Sequence, residues 1–319
     1  MTHDRDLQSG PVLVLGEALV EFMPAQIGQG MANALHFDKF AGGAPATYAA
    51  AIVRLGGRSG LLTKVGTDPF SDFELDALAA EGVDIGHIQR LDERQIGLCF
   101  HQCIGGQTSL VFYRLDSAAS TLSPDDIDAA VMRGAAALHV PGTTFQISES
   151  AMQACLKALR LARQAGLVVS FDPNMRNILG GRETSAAMDE ALALADLVTP
   201  TLEEATAITG ESDPFRAARQ LRARGPQLVA VTLAADGAVL AAGDECMLCP
   251  GYEVEVVEPT GAGDVHAAAT MVGFLKGWEL EEIGHFANAA GALAVTAMGH
   301  LGPALPTLQD IANLMEVSR

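Results

Sequence analysis

The residues best suited to chemistry lie late in the chain, in Glu258-Pro-Thr-Gly-Ala-Gly-Asp264 and the apolar run from Val265 through Leu275 that follows. A glycine turn that opens a helix directs the N–H groups of Gly261, Ala262 and Gly263 past the helix end. There they meet the positive pole of the macrodipole, and the missing side chains let a phosphate come close. Asp264 at the start of that helix stays ionised in the same field and can accept a proton from an attacking hydroxyl. A loose phosphoryl transition state draws most of its acceleration from positioning and charge neutralisation, so a weak base suffices. The chemistry implied is phosphoryl transfer to an alcohol. The plain alternative is an aspartate that caps a helix after a tight turn.

A second glycine cluster, Ala41-Gly42-Gly43-Ala44-Pro45-Ala46-Thr47, precedes another small-residue run, Ala49–Ile52. Without a Cβ at Gly42 or Gly43, a sugar hydroxyl could bond directly to the backbone; ordinary turn geometry is the competing reading. GxxxxGK[ST] is absent, and so is a GxGxxG between a strand and a helix, which excludes P-loop kinases and dinucleotide dehydrogenases. Cys246-Met-Leu-Cys249 has CxxC spacing, but no second pair follows and no histidine lies between His139 and His266, so buried strand cysteines are the better reading than zinc.

The elements that must position these groups alternate between short apolar runs and helical patterns, which implies a parallel sheet covered on both faces. Strands are expected at Val12–Leu15, Gly60–Val65, Ala136–Val140, Leu167–Asp172, Leu197–Thr199 and Leu228–Leu233. Ser148–Ala165 places Met152, Cys155, Leu156 and Leu159 at helical spacing, and Ser123-Pro124-Asp125-Asp126 reads as another helix start. Two stretches break the rhythm, about 17–40 and 95–115, the second with runs flanking a turn at Gly105-Gly106. They are expected as a small flap over one edge of the core, or as a plain antiparallel extension. The reading is one domain over 1–319 with these two insertions.

A balance of 20 Lys+Arg against 39 Asp+Glu, net −19, opposes broad docking on nucleic acid or an anionic membrane. Five cysteines, an odd number scattered over 319 residues, argue for reduced thiols in a cytoplasmic setting. The first ten residues hold no apolar run that would make a signal peptide, and no apolar stretch reaches membrane-spanning length.

On Gly42-Gly43 and on Pro259-Thr-Gly-Ala-Gly-Asp264, the chain resembles the ribokinase-like (PfkB) carbohydrate kinases from Val12 nearly to its end. The resemblance implies a three-layer αβα α/β core with a mostly parallel sheet and a small β-sheet lid. It implies use of ATP and Mg2+, Asp264 as base, an anion hole at Gly261, Ala262 and Gly263, and a homodimer through the lid. Gly16-Glu-Ala-Leu-Val-Glu21, Phe112-Tyr-Arg-Leu-Asp-Ser-Ala-Ala-Ser120 and Asp172-Pro-Asn-Met-Arg176 point toward the 2-keto-3-deoxygluconate kinase and ketohexokinase branches. Glu17, Gly42, Gly43, Thr47, Tyr113, Arg114 and Arg176 are then expected around the sugar. Arg114 and Arg176 form a guanidinium pair suited to a carboxylate, which a neutral ketohexose would not need; surface arginines on loops are the alternative. Thr232, Ala234, Gly237, Gly261, Gly263 and Asn288 fall where relatives meet the nucleotide, although a strand threonine and a helix-buried asparagine also have structural readings.

Thr47 stands where the signature has Asn, and Thr201 replaces the Asn of an Asn-x-x-Glu motif that keeps Glu204, expected near Mg2+ through water. Ala234 replaces a common Gly, and Glu258 an Asp that often serves a monovalent-cation site, so K+ is a candidate activator. These departures motivate a second hypothesis, a kinase-fold protein that binds sugar or nucleotide without turnover. Within the kinase reading the best substrate is 2-keto-3-deoxygluconate, with fructose or tagatose as the alternative.

Overall fold

A computed structural model describes residues 7, 9–26, 28–105, 107–174 and 182–317. The strands run β1 Val12–Leu15, β2 Leu19–Pro24, β3 Phe37–Gly42, β4 Ser59–Gly66, β5 Ile88–Leu91, β6 Gly97–Ile104, β7 Gln107–Tyr113, β8 Ala137–Pro141, β9 Val168–Asp172, β10 Leu197–Val198, β11 Leu228–Thr232, β12 Ala238–Ala242 and β13 Glu245–Cys249. The helices are α1 Ala44–Arg54, α2 Pro69–Ala80, α3 Glu149–Gln164, α4 Arg182–Leu194, α5 Leu202–Thr209, α6 Pro214–Arg222, α7 Ala262–Leu275, α8 Leu280–Ala294 and α9 Leu308–Val317.

Among the described residues the large sheet has nine strands in the order β13-β12-β11-β10-β9-β8-β1-β4-β5. It is parallel from β5 through β11, with antiparallel β12 and β13 at one edge. Both faces are buried, and the period of two shows it. In β1, Val12 and Val14 pack with α1, α7 and α8, while Leu13 and Leu15 pack with α3 and α4. In β11, Leu228 and Ala230 join the first layer and Val229 and Val231 the second. This is the αβα architecture expected from the alternating runs.

The smaller sheet has the order β3-β2-β6-β7 and draws its strands from the two stretches that break the rhythm. β2 pairs with β6 in parallel, whereas β2 with β3 and β6 with β7 are antiparallel.

Ser148 caps α3 through its side chain, which accepts from Ala151 N. Ser123–Asp126 instead forms a single 3-10 turn, not the start of a longer helix. Asp126 folds back onto Ser123 and holds Lys64 at 2.7 Å, and the next residue, Ile127, is already extended.

Candidate active site

The chain leaves β1 toward β4 and β5 on one side of the sheet and returns through β8 to β9, β10 and β11 on the other. The carboxyl ends of β1 and β8 therefore flank a topological switch point, where open α/β sheets leave a crevice. A cleft of about 520 Å3 lies there, lined among others by Glu17, Thr47, Arg114, Thr143, Gly261 and Asp264.

One wall is the head of α7. Gly261 is its N-cap, with φ 89 and ψ −15, a left-handed conformation that a side chain would strain. A Cβ at Gly263 would meet open space, so the head of the helix is accessible. Ala262 and Gly263 occupy the first turn, where an N–H has no carbonyl one turn earlier. Asp264 is 6 % exposed and its side chain borders the cleft. Thr47, buried on α1, faces the same cleft.

The opposite wall comes from the smaller sheet. Glu17 is buried and bonded to Arg114 Nη1 at 2.8 Å, with Ser117 Oγ at 3.4 Å. Burial pushes the Glu17 carboxyl up, and the Arg114 guanidinium pulls it back. That guanidinium lies 4.2 Å from the centroid of the Phe112 ring. Leu110, Phe112 and Arg114 all line the cleft, and alternation along the strand turns Tyr113 the other way. Tyr113 is 65 % exposed and meets Phe100 edge-on, so its expected place beside the sugar is corrected. The same parity puts Glu17, Leu19 and Glu21 in the cleft, although Glu21 carried no assigned role in the sequence.

The N–H groups of the glycines at the head of α1 have internal partners, although Gly43 lines the cleft. Gly42 N–H donates to Glu74 Oε2 at 3.2 Å and Gly43 N–H to Glu21 Oε1 at 2.9 Å, so these amides are engaged by internal carboxylates instead of facing a sugar hydroxyl. Gly43 has φ 95, and a Cβ there would sit 2.7 Å from Glu17 O; close approach of the chain to β2 explains the glycine. Burial lifts the Glu74 carboxyl well above its ordinary value, against the Gly42 bond and helped by the Glu21 charge.

Between the two turns lies a buried group whose histidines no motif indicated, with Glu21 and His300 themselves lining the cleft. His300 Nδ1 is 2.9 Å from Glu21 Oε2, and its Nε2 is 3.3 Å from Glu258 Oε2. His101 Nε2 reaches the same Glu21 oxygen at 3.2 Å. Burial alone would lower the His300 imidazole, but the charge and hydrogen bond of Glu21, joined by Glu258, lift it to about 10. Glu21 is held well below the usual carboxylate range, its burial outweighed by His300 and His101. Glu258 also accepts from Thr260 N at 3.0 Å and Thr260 Oγ1 at 2.7 Å. Glu258, expected beside a monovalent cation, is thus engaged by His300 and Thr260.

Of the residues expected beside the nucleotide, Thr232, Ala234 and Gly237 gather at the end of β11 and the turn into β12. Thr232 N donates to Pro200 O at 2.9 Å, and an isolated bridge joins Thr232 to Thr201. Thr201 caps α5 in a capping box with Glu204, whose Oε2 accepts from Thr201 N at 2.8 Å. Ala234 adopts φ 54, a conformation that suits the glycine it replaces. Gly237 has φ 98, and a Cβ would lie 2.2 Å from Cys249 O. Asn288 is turned inward: Nδ2 donates to Cys249 O and Pro250 O, and Oδ1 meets His266 Nε2 at 3.2 Å. It fixes the turn after β13 instead of presenting an open amide. Arg176 lies outside the described residues.

Residues 11–308 match the family profile described as pfkB family carbohydrate kinase. The chain is 31 % identical to the 2-dehydro-3-deoxygluconokinase of Bacillus subtilis over 96 % of each chain. It is 32 % identical to fructokinase-1 of Oryza sativa over 96 % of this chain and 97 % of that one. Among solved structures, an E. coli protein in complex with ATP and Mg2+ superposes with a TM-score of 0.89 at 31 % identity, covering 97 % of this chain and 99 % of that one. The ATP-bound fructokinase of Xylella fastidiosa gives 0.83 at 28 % identity over the same shares.

Proposed function

We propose that this chain, which belongs to the pfkB family of carbohydrate kinases, phosphorylates a hydroxyl of the sugar acid 2-keto-3-deoxygluconate. That it is a carbohydrate kinase follows from its relatives; the substrate is our reading. The observation that carries it is the Arg114 guanidinium, presented from the smaller sheet into the same cleft as Asp264. A guanidinium there suits the carboxylate of a sugar acid.

The residues fit a triphosphate. The left-handed Gly261 and the open space beside Gly263 form a cradle that a Cβ would narrow, at the positive end of α7. ATP with Mg2+, when bound, supplies the phosphoryl group and most of the charge neutralisation. Gly261, Ala262 and Gly263 would hold the transferring end, Thr232, Ala234 and Gly237 would border the nucleotide, and Glu204 would meet Mg2+ through water. Asp264 takes the proton from the sugar hydroxyl. Glu17 and Arg114 orient the sugar from the opposite wall, and Leu110 and Phe112 exclude water beside them.

A ketohexose is the second reading, favoured by the Glu17–Arg114 bond itself, which offsets the guanidinium charge and leaves a polar pair suited to neutral hydroxyls. We also propose a homodimer through the smaller sheet, whose β7 exposes Val111 and Tyr113, and a cytoplasmic setting, supported by five free cysteines. No helix among the described residues is long and apolar enough to cross a membrane. Release of ADP from ATP and Mg2+ with 2-keto-3-deoxygluconate, fructose, tagatose and ribose tests the assignment. Preference for the sugar acid supports it, preference for a ketose selects the second reading, and silence across the panel removes both.

A further inference from the structure

The two glycine turns that meet at the cleft belong to segments more than two hundred residues apart, and one side chain touches both. A Cβ placed on Gly42 would lie 3.1 Å from His300 Nδ1, and one on Gly261 would lie 3.2 Å from His300 Cδ2. The ring is therefore packed against the head of α1 and the head of α7 at once. Its two nitrogens carry the connection further. Nδ1 meets Glu21 Oε2, while the other oxygen of Glu21 accepts the Gly43 N–H. Nε2 meets Glu258, which accepts both the N–H and the hydroxyl of Thr260, the residue before Gly261.

We propose that His300 is a positioning residue that sets the distance between the substrate-side turn at Gly42-Gly43 and the phosphate-side turn at Thr260-Gly261. The inference rests on the reading of Asp264 and the α7 turn as the reacting site. Two carboxylates, each at most 6 % exposed, converge on this imidazole; His101 reaches the same two at 3.2 and 4.0 Å, but the His300 ring is the one packed against both turns. The ring is itself 3 % exposed, so water cannot readily take its place. It is also held from behind. Gly299 (φ 93) passes so close to Phe40 that a Cβ would lie 2.6 Å from that ring, and Gly302 O accepts from Arg54 Nη2 at 3.2 Å. His300 thus lies in a segment held at Gly299 and Gly302 and is itself held at both ring nitrogens, as a spacer between two turns must be.

A spacer acts when both substrates are present, because the α1 turn borders the cleft at Gly43 and the α7 turn borders it at Gly261. His300→Gln should lower kcat by about 10–10²-fold, the scale of a misplacement near 1 Å, while the separate affinities for ATP and for the preferred sugar, measured by calorimetry on the binary complexes, change by less than about threefold. A kcat within about threefold of the parent overturns the proposal. So do binary affinities that fall in step with kcat, since general loss of structure would produce that. His300→Gly opens a ring-sized space, and added imidazole should return at least about tenfold of its lost rate; a folded, soluble variant that imidazole does not rescue also overturns it. Glu21, His101 and His300 bring ligand-type atoms within 4.8 Å of one another. Zinc or nickel found at one equivalent in the purified parent, and lost in His300→Gln, would make the ring a ligand and overturn the spacer role. Asp264→Asn assayed alongside keeps the two readings apart. If it stays active, the site assignment fails; if it is inactive while His300→Gln keeps the parent rate, only the spacer fails.

Discussion

Replacing Arg114 by Gln removes the guanidinium from the cleft without emptying its volume, and the structure says how the loss should divide. The side chain is 18 % exposed and its partner Glu17 only 4 %, so both binding and folding respond. A hydrogen bond to a charged group contributes about 1.5–3 kcal/mol against about 0.5–1.5 kcal/mol for a neutral one. A sugar acid held by Arg114 should therefore lose about 10–150-fold in kcat/KM, and a neutral ketose about 2–10-fold. The ratio of the two specificity constants thus shifts by about tenfold. Stability falls as well, because Glu17 is left without its cation. Outright breakage of a buried pair costs about 3–5 kcal/mol, but Arg114 is partly solvated and Glu17, already pushed up by burial, can take a proton, so about 1–2 kcal/mol is expected. Glu17→Gln combined with Arg114→Gln should recover most of that stability and none of the sugar-acid preference. Steady-state kinetics on both substrates, with urea unfolding in parallel, checks the division. Equal losses of kcat/KM for the acid and the ketose would refute the carboxylate argument.

Asp264→Asn should lower kcat by about 10²–10⁴-fold with ATP affinity nearly unchanged, read by ADP release and nucleotide titration; a retained rate removes Asp264 as the base. Gly43→Ala forces a side chain onto φ 95 and within 2.7 Å of Glu17 O, so urea melts should show a loss of about 1–3 kcal/mol, with the sugar KM rising more than the ATP KM. His300 is raised from 6.5 to about 10, so its stabilisation is complete below about pH 6.5 and fades as pH rises through about 10. The stability difference between parent and His300→Gln should accordingly be largest near pH 6 and narrow by at most about 1.4 kcal/mol per pH unit toward pH 10; a difference that stays flat over that range would contradict the ion-pair assignment.

The frame was legible because its signals are local. β1 reads Val-Leu-Val-Leu with every residue buried, and a continuous apolar run of that length between turn residues is what a two-sided sheet demands. The α7 turn was legible for the same reason, since a Gly-x-Gly-Asp sequence before an apolar run has few local solutions. Tyr113 was misplaced although the information was present: once Arg114 faces the cleft, strand parity sends its neighbour to the other face and selects Leu110 and Phe112 in its stead. Ser123–Asp126 failed differently. A capping box announces a first turn but carries no statement of length, and the turn ends where Asp126 is drawn to Lys64.

His300 illustrates what a single sequence cannot disclose. It sits between Gly299 and Leu301 with no periodic pattern around it, and its partners Glu21, His101 and Glu258 come from strands and loops far away in the chain. Their convergence exists only after the smaller sheet has been laid over the α7 turn. The departure at Glu258 then acquires a physical meaning, because its carboxylate binds Thr260 twice and also reaches His300. A shortened side chain, Glu258→Asp, would have to give up one of these contacts. The glycine turn at the α7 head and the carboxylate that braces it are therefore one unit with the histidine, and a substitution at any of the three should be read against the other two.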